Sequence, residues 1–405
     1  MHVCSCMQLT VDRAGSAGKQ SHRVRRLMRD EVWVWTALAG PVLCANVLTQ
    51  SMTLTDIAVL GHLASDENFP NATAVDFLAA ASLAYGWVYS ITILIFAGFT
   101  SAISVLGSQA LGAKNEPRAV QVLAVGIGVS LLACVPIGIA QYYTSAVIAT
   151  LLPSTHSNRR HTLIQTFSRV LLLSLPGQTL ASALTNFLQT MEVVRVPLLI
   201  SFAGALGNIV VNVVLVHGAG GWPGLGFVGS PLATSLTTWV RVVLLLVYTL
   251  WGGGTPQHRR CREILKKSLL CVHANTTSTS PIAAEEQRPL LMPPQPVNSS
   301  VETTEPSGAL QQPGEQPLTG VRIWSSALVK EYVLDQALPL ALGGAFEEWQ
   351  VQVITFFAGS LGAAAVATHN GLLNVFMTIS SINYGIMNAT TVRQSLCWPL
   401  PCVNV

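Results

Sequence analysis

Charged residues are scarce in this sequence. Aspartate, glutamate, lysine and arginine make up 10% of the 405 residues, whereas about a quarter is usual in soluble domains. This scarcity excludes an ordinary water-soluble protein of the same length. Half of the residues are hydrophobic, and they gather into runs of roughly 20 to 28 residues, long enough to cross a hydrocarbon core about 30 Å thick. The sequence therefore predicts an all-α polytopic membrane protein.

Motifs for several kinds of chemistry are also missing. The sequence has no phosphate-binding loop, no paired-aspartate motif, no HExxH sequence and no Cys/His metal pattern. ATP-driven pumps and membrane-embedded enzymes rely on such motifs, so we expect no enzyme, no catalytic residue, no metal site and no cofactor. Residues 1–30 lack the apolar core of a removable signal peptide, and the first span is therefore expected to direct insertion.

Eight hydrophobic runs are candidate membrane spans. They are Trp33–Leu60, Phe77–Val105, Ala119–Tyr143, Leu163–Met191, Val196–His217, Phe227–Trp251, Tyr332–Leu361 and Val366–Thr391. The basic residues that precede the first span are Lys19, Arg23, Arg25, Arg26 and Arg29. The predicted outer loops hold only Arg159 and Arg160, so the positive-inside rule places the N-terminus in the cytoplasm. The net charge of +3 then reflects topology and gives no reason to expect a nucleic-acid partner.

A change in composition divides the chain. Residues 252–325 are first basic and then rich in Pro, Ser, Thr and Gln, with few large apolar side chains. Such a stretch cannot bury enough apolar area to offset the entropy lost on ordering, so we interpret it as a disordered cytoplasmic linker. It follows a cytoplasmic segment (1–30) and a six-span unit (31–251). It precedes a two-span unit (326–393) and a short tail (394–405).

The two-span unit looks like the start of a second copy of the six-span unit. Pro41 and Pro339 lie at similar depths in spans one and seven, and the segment Gly98–Val105 resembles Gly385–Val392. Gly, Ala and Val recur there at the same offsets. Because six crossings are an even number, both copies would share one orientation in the membrane. Both prolines are predicted helix kinks, since proline removes a backbone hydrogen bond.

Ionisable side chains inside spans are costly and are therefore candidates for function. Asp56 in span one follows Pro41, whose missing hydrogen bond can open backbone polar groups to a cavity. A carboxylate facing such a cavity could bind and release a proton; the alternative is a solvated aspartate near the outer membrane surface. Asn208 and Asn212 in span five share one helical face. They could bind a carboxylate or a cation, or simply hold neighbouring helices together.

Glu347 and Glu348 lie near mid-depth of span seven. Adjacent residues point in different directions on a helix, so at most one of them faces a central cavity. Buried acids near the bilayer midplane are hard to explain by packing, which favours a functional role. Trp349 beside them could stack on a flat organic cation or merely fill space. Arg169 and Arg241 are expected to snorkel or to pair with an acid near the helix ends.

Four segments carry a resemblance to a known family. They are Pro41 through Asp56–Leu63, Gly107–Asn115, Gly207–Gly218 with Gly224–Gly226 and Pro231–Thr234, and Leu338–Leu340 with Glu347–Trp349. On these segments the chain resembles the multidrug and toxic compound extrusion (MATE) family of transporters, eukaryotic type. The resemblance covers about residues 25–251 and 325–393. It implies two six-helix lobes around a V-shaped cavity, of which this chain would hold the complete first lobe and two helices of the second.

The resemblance also implies roles for particular residues. Asp56 would be the proton or sodium carboxylate of the first lobe, with Asn208 and Asn212 beside it. Glu347 would be the second-lobe glutamate that exchanges protons and binds cationic substrates. Where some members have a second acid, this chain has Gln352.

The sequence departs from the family in two further ways. In prokaryotic members the residue corresponding to Asn212 is often Asp. After Thr391-Val-Arg393 the family continues with a loop and further helices, which this chain does not match. A retained intron or a truncated gene model would explain that departure, and the chain is expected to be truncated after the eighth helix.

The resemblance predicts a secondary active antiporter that exports organic cations or other xenobiotics in exchange for H+ or Na+ by alternating access. The expected partners are small organic cations and the lipid bilayer, with the chain a monomer in the plasma membrane or the vacuolar membrane. Two alternatives stay open. One is a lipid-linked oligosaccharide flippase of the same superfamily, and the other is a truncated isoform or gene-model fragment that does not transport.

Overall fold

The computed structural model describes residues 17–63, 66–151, 158–251, 259, 262–263 and 325–397. Within these ranges the chain is helical and has no β-strand, as the sequence predicts. Most of the predicted linker, the first part of the predicted N-terminal segment and the end of the predicted tail lie outside the described residues.

The described ranges contain twelve α-helices. They are α1 (Ala17–Gly61), α2 (Ala74–Ile93), α3 (Ser101–Gly112), α4 (Glu116–Tyr142), α5 (Thr144–Leu151), α6 (Asn158–Leu171), α7 (Leu175–Thr190), α8 (Arg195–His217), α9 (Gly229–Trp251), α10 (Ser326–Lys330), α11 (Leu338–Ser360) and α12 (Ala363–Cys397). Two π-helical segments join consecutive helices, the first at Leu94–Thr100 and the second at Glu331–Ala337. Short 3₁₀ segments precede α7 and α9.

Each predicted span coincides with helical structure, but several boundaries were wrong. Helix α1 begins at Ala17 rather than Trp33, and α12 runs to Cys397, past Thr391 and into the predicted tail. Span two is built from α2, the first π-helical segment and α3, and span four from α6, a 3₁₀ turn and α7. Hydrophobic periodicity marks the apolar core of a helix, whereas polar residues can extend the helix beyond it.

Among the residues that the structure describes, five helical stretches are long and apolar enough to cross a membrane by length and composition alone. They are Val32–Gly61, Ala74–Gly112, Glu116–Tyr142, Arg195–His217 and Gly226–Trp251. Predicted spans four, seven and eight are not among them. The helix through span four is interrupted before α7, and α11 and α12 carry more polar residues.

Buried apolar side chains of the described residues form three clusters, and the two larger ones lie at opposite ends of the bundle. The first cluster includes Ile103, Phe187 and Tyr332, at the end predicted to be cytoplasmic. The second includes Phe77 and Phe227, whose rings stack with their centres 5.2 Å apart. These two clusters fix the ends of the helices, and the more polar middle of the bundle lies between them.

Helices α11 and α12 pack on the preceding bundle through two glycines. Helix α11 lies along α2 and the first π-helical segment, and α12 lies along α1. A side-chain Cβ at Gly98 would lie 2.7 Å from the backbone oxygen of Ala337, and one at Gly385 would lie 2.7 Å from Cα of Leu43. Gly98 and Gly385 are the glycines matched in the sequence repeat. Each allows the second helix of one predicted copy to approach the first helix of the other.

The two prolines lie in different backbone settings. Pro41 is inside α1, which continues through it as α-helix, so the predicted kink there stays a prediction. Pro339 lies in the first turn of α11, directly after the second π-helical segment. Helical structure runs without a break from Ser326 to Ser360, so Pro339 removes a backbone hydrogen bond inside a continuous helix. The change from π to α geometry directly before it marks an irregular point, and the predicted kink at Pro339 stays a prediction.

Candidate functional site

The carboxylate of Asp56 is the centre of a buried hydrogen-bond network. Asp56 is 1% exposed. Its Oδ2 accepts hydrogen bonds from the hydroxyl of Tyr85 at 2.5 Å and from the hydroxyl of Thr234 at 2.7 Å, and its Oδ1 accepts one from the amide of Asn212. The four residues come from α1, α2, α8 and α9. Three donors on one carboxylate compensate much of the cost of burying its charge.

Asn208 extends this network by one step. Its amide nitrogen donates to the hydroxyl of Thr234 at 3.4 Å, and it is fully buried, as is Asn212. The spacing of four residues places both amides on one face of α8, as predicted. The structure thus brings Asp56, Asn208 and Asn212 together and leaves no solvated aspartate at this position.

Tyr85 and Thr234 were missed by sequence reasoning. Neither is ionisable near neutral pH, and neither shares a helix with Asp56. Thr234 lies within Pro231–Thr234, a segment quoted for the family resemblance, but nothing in that segment points to a carboxylate in another helix. The contact arises because α2 and α9 both pack against α1, which is information about tertiary structure.

A cavity of about 430 Å³ lies in the middle of the bundle. Most of its lining residues come from α1, α2, α7, α9, α11 and α12. Many lining side chains are neutral and polar, among them Asn46, Gln50, Gln178, Asn186, Asn370 and Asn374. Tyr85 and Thr234 also line it, so the two hydroxyl groups that bind Asp56 reach the cavity. The carboxylate is therefore one hydrogen bond away from the space in which a solute would lie.

Of the two adjacent glutamates, Glu348 lines the cavity. Glu348 is 4% exposed, and its Oε1 accepts a hydrogen bond from the amide of Gln352 at 2.8 Å. Glu347 is on an exposed face of α11 and does not contribute to the cavity lining. Within the described residues Glu348 rather than Glu347 lines the cavity, and the role that the resemblance gives to Glu347 stays a prediction. One acid of the pair faces the cavity, as the geometry of a helix requires.

Trp349 explains why α11 takes this rotation. Its indole N–H donates to the backbone oxygen of Ser90 in α2 at 2.8 Å, and its ring packs against Phe346. Gly86 of α2 leaves room for Gln352, since a Cβ there would lie 3.1 Å from the Gln352 amide oxygen. Trp349 itself does not line the cavity, so the predicted stacking of a flat cation on its ring does not fit its position.

The two arginines behave differently from one another. The guanidinium of Arg169 lies 4.2 Å from the ring centre of Tyr142, on an exposed part of α6, where a cation–π contact is favourable. Arg241 lines the central cavity. It neither snorkels to a helix end nor pairs with an acid among the described residues, so the prediction for Arg241 was wrong. Within the same residues no three His, Cys, Asp or Glu side chains come together as a metal site.

One known protein family matches the part of the chain that holds most of the Asp56 network. The MatE family model matches residues 41–214, which include Asp56, Tyr85, Asn208 and Asn212. Over this range, which is less than half of the chain, the sequence is similar to the MATE family. This match confirms the resemblance found in the sequence, for residues 41–214.

Individual relatives match part of the chain. The probable multidrug resistance protein NorM of Burkholderia mallei is 29% identical over 223 residues, which are 55% of this chain and 44% of NorM. Multidrug and toxin extrusion protein 2 of Mus musculus is 28% identical over 251 residues, 60% of this chain and 40% of the mouse protein. The chain thus matches less than half the length of these two relatives.

Solved structures support the fold. The eukaryotic MATE transporter AtDTX14 superimposes with a TM-score of 0.60 over 91% of this chain and 65% of AtDTX14, at 16% sequence identity. An inward-facing multidrug resistance MATE transporter superimposes with a TM-score of 0.56 over 86% of this chain and 64% of that structure, also at 16% identity. At such identities the likeness concerns the helix arrangement alone.

Proposed function

We propose that this protein is a secondary active antiporter of the MATE family that exports organic cations or other xenobiotics in exchange for protons by alternating access. One observation carries the proposal: the buried carboxylate of Asp56 is bound by two hydroxyl groups, those of Tyr85 and Thr234, that line the central cavity. A carboxylate in such a position can exchange a proton with the cavity through its hydroxyl partners.

Protonation of Asp56 would change the contacts among four helices. A charged carboxylate accepts hydrogen bonds with both oxygens, whereas a protonated one must donate from one of them. Tyr85, Asn212 and Thr234 all donate to it, so the proton adds a fourth donor to a site of donors and weakens the bond to the oxygen that carries it. The relative stability of different packings of α1, α2, α8 and α9 would then depend on the proton, which is the coupling that alternating access needs.

Glu348 is the second acid in this proposal. It lines the cavity from α11, which packs against α2, the helix that carries Tyr85, and Gln352 donates a hydrogen bond to its carboxylate. When charged it can bind an organic cation, and when protonated it can release that cation. The names of the relatives, which describe multidrug resistance and toxin extrusion, support an organic substrate.

A pH-driven uptake assay tests the proposal. The 405-residue chain is reconstituted in liposomes, and ethidium uptake is measured after a proton gradient is imposed. We expect Asp56→Asn and Glu348→Gln each to abolish gradient-driven uptake, because each removes a titratable group. Glu347→Gln is the matched control, since it makes the same change one residue away and outside the cavity, and it should keep most of the uptake.

Two results would contradict the proposal. One is gradient-driven uptake that persists at the normal rate in both Asp56→Asn and Glu348→Gln. The other is the absence of gradient-driven uptake with the wild-type chain, which would favour the alternative of a protein that does not transport by itself.

Sodium coupling is a second candidate, and two buried oxygens favour it. The amide oxygens of Asn208 and Asn212 have no hydrogen-bond donor among the described residues, although they lie beside the Asp56 carboxylate. Amide and carboxylate oxygens are suitable ligands for a hard cation. The same liposomes with a sodium gradient in place of the proton gradient separate the two ions, because only the coupling ion should drive uptake.

A further inference from the structure

Asp66 is a second buried carboxylate, and it lies at the end of the bundle predicted to be external. It belongs to the connection between α1 and α2 and is 5% exposed. Its Oδ1 accepts a hydrogen bond from the backbone N–H of Asn68 at 2.8 Å, and its Oδ2 accepts one from the backbone N–H of Phe227 at 2.6 Å. The antiport scheme above gives this residue no role.

The bond to Phe227 ties the connection after α1 to the start of α9. Phe227 lies in the 3₁₀ segment Gly226–Val228, which leads directly into α9. A carboxylate is favourable there because the N-terminus of a helix has unpaired N–H groups and a partial positive charge. A Cβ at Gly226 would lie 2.6 Å from Cγ of Asp66, so the carboxylate fills the space beside this turn. Asp66 therefore fixes the backbone of Phe227.

A first route leads from Phe227 to Asp56 along α9. Thr234 follows Phe227 by seven residues, which is about two helical turns, so both side chains lie on the same side of the helix. The hydroxyl of Thr234 donates to Oδ2 of Asp56 at 2.7 Å. Because a helix is stiff over two turns, the position of Phe227 sets the position of this hydroxyl.

A second route runs through aromatic rings. The ring of Phe227 lies 5.5 Å from that of Phe167, and the ring of Phe167 lies 5.1 Å edge-on from that of Tyr85. The hydroxyl of Tyr85 donates to Oδ2 of Asp56 at 2.5 Å. Phe167 and Phe227 are fully buried, and closely packed rings leave little room for independent movement. The position of the Tyr85 hydroxyl therefore also depends on Phe227.

We infer that Asp66 is a positioning residue for Asp56. By holding Phe227, it keeps the hydroxyl groups of Tyr85 and Thr234 on one oxygen atom, Oδ2. Loss of the Asp66 carboxylate would loosen both of these donors at once. The consequence for transport rests on the proposed function, whereas the consequence for the hydrogen bonds of Asp56 does not.

Infrared spectroscopy of the purified 405-residue chain in lipid nanodiscs tests the inference. The chain is produced with carboxyl-labelled ¹³C-aspartate, and the aspartate bands that are absent from Asp56→Asn are assigned to Asp56. The frequency of a carboxyl band depends on the hydrogen bonds of the group, so it reports directly on the two donors. We expect Asp66→Ala to shift the Asp56 bands. Glu67→Ala is the matched control, because Glu67 is the exposed neighbour, and it should leave them unchanged.

The ring route is tested without altering Asp66. Phe167→Leu removes the ring between Phe227 and Tyr85 and should also shift the Asp56 bands. Phe69 packs edge-on against Phe227 as well, with ring centres 6.2 Å apart, but from the connection between α1 and α2. Phe69→Leu is therefore the matched control and should leave the Asp56 bands at the wild-type frequency.

Transport and a milder variant extend the test. Asp66→Ala should slow proton-driven ethidium uptake by roughly tenfold, the factor expected when a hydrogen bond to a charged group is weakened, and Glu67→Ala should not slow it. If Asp66→Ala does not fold, Asp66→Asn is the second variant. Its amide has a single oxygen, so it can keep only part of the original contacts, and it should shift the Asp56 bands in the same direction by a smaller amount.

Three results would overturn the inference. They are wild-type Asp56 bands in the folded Asp66 variants, wild-type bands in Phe167→Leu, and equal shifts in Asp66→Ala and Glu67→Ala. The proposed function fails separately, because the infrared measurement needs no transport. Shifted Asp56 bands in Asp66→Ala, together with no proton-driven uptake by the wild-type chain, would refute the antiporter and keep the positioning role of Asp66.

Discussion

Arg118 and Glu331 form an ion pair between two parts of the chain that are 213 positions apart, with Nη2 and Oε2 separated by 2.6 Å. Arg118 lies in the first turn of α4, and Glu331 begins the second π-helical segment, which leads into α11. The hydroxyl of the neighbouring Tyr332 donates to the backbone oxygen of Phe99. At this end of the bundle, which is cytoplasmic in the predicted orientation, α11 is therefore held to α4 and to the first π-helical segment by polar contacts.

The Arg118–Glu331 pair should be measurable by charge exchange. The two side chains are 18% and 20% exposed, so each single variant, Arg118→Glu or Glu331→Arg, should lower the free energy of unfolding by about 1 kcal/mol through like-charge contact. The double variant should recover most of that loss, since the pair is restored in reverse and a glutamate at the start of α4 suits the helix dipole. Thermal unfolding in detergent at low and high salt measures both effects. Additive losses in the double variant would mean that the two residues do not interact.

Gly98 should be intolerant of even one additional methyl group. A Cβ there would lie 2.7 Å from the backbone oxygen of Ala337 and 2.8 Å from Cα of Ala341, and backbone atoms cannot move aside without shifting the whole of α11. Gly98→Ala should therefore lower the free energy of unfolding by about 1–3 kcal/mol, as overpacking does. Gly343→Ala in α11 is the control, because nothing lies within 4 Å of a Cβ there, and it should leave the thermal midpoint unchanged or higher. Equal midpoints for both variants would show that α11 does not pack closely at Gly98.

Tyr85→Phe should weaken the site around Asp56 without altering its shape. The substitution removes the 2.5 Å hydrogen bond to Oδ2 and keeps the ring, which packs edge-on against Phe167. A hydrogen bond to a charged group contributes about 1.5–3 kcal/mol, so the thermal midpoint of the chain should fall at neutral pH. Tyr142→Phe removes a hydroxyl from a ring that is 41% exposed, and it should have no measurable effect. The assigned network would be wrong if the two variants behaved alike.

The class of the protein and part of the first site follow from sequence. Only 10% of the residues are charged, and the apolar runs are long, which together predict a membrane protein. The spans are expected to be helical because backbone polar groups in lipid must be paired within each helix. An aspartate inside the first span is costly enough to imply a role. The four-residue spacing of Asn208 and Asn212 places them on one face of α8 whatever the helix packs against. These inferences depend on helix geometry and on the solvent, both of which are local properties.

Which side chains meet was decided by tertiary structure. Helix geometry in the sequence predicts that only one of Glu347 and Glu348 can face the cavity. Glu348 is the one that lines it, with α11 in the rotation at which Trp349 contacts Ser90 and Gln352 packs beside Gly86. Arg241 reaches the cavity because α8 has a glycine at the crossing, and Tyr85 and Thr234 reach Asp56 because three helices converge there. Rotation and crossing of helices depend on contacts between residues far apart in the chain, and no periodicity within one helix contains that information.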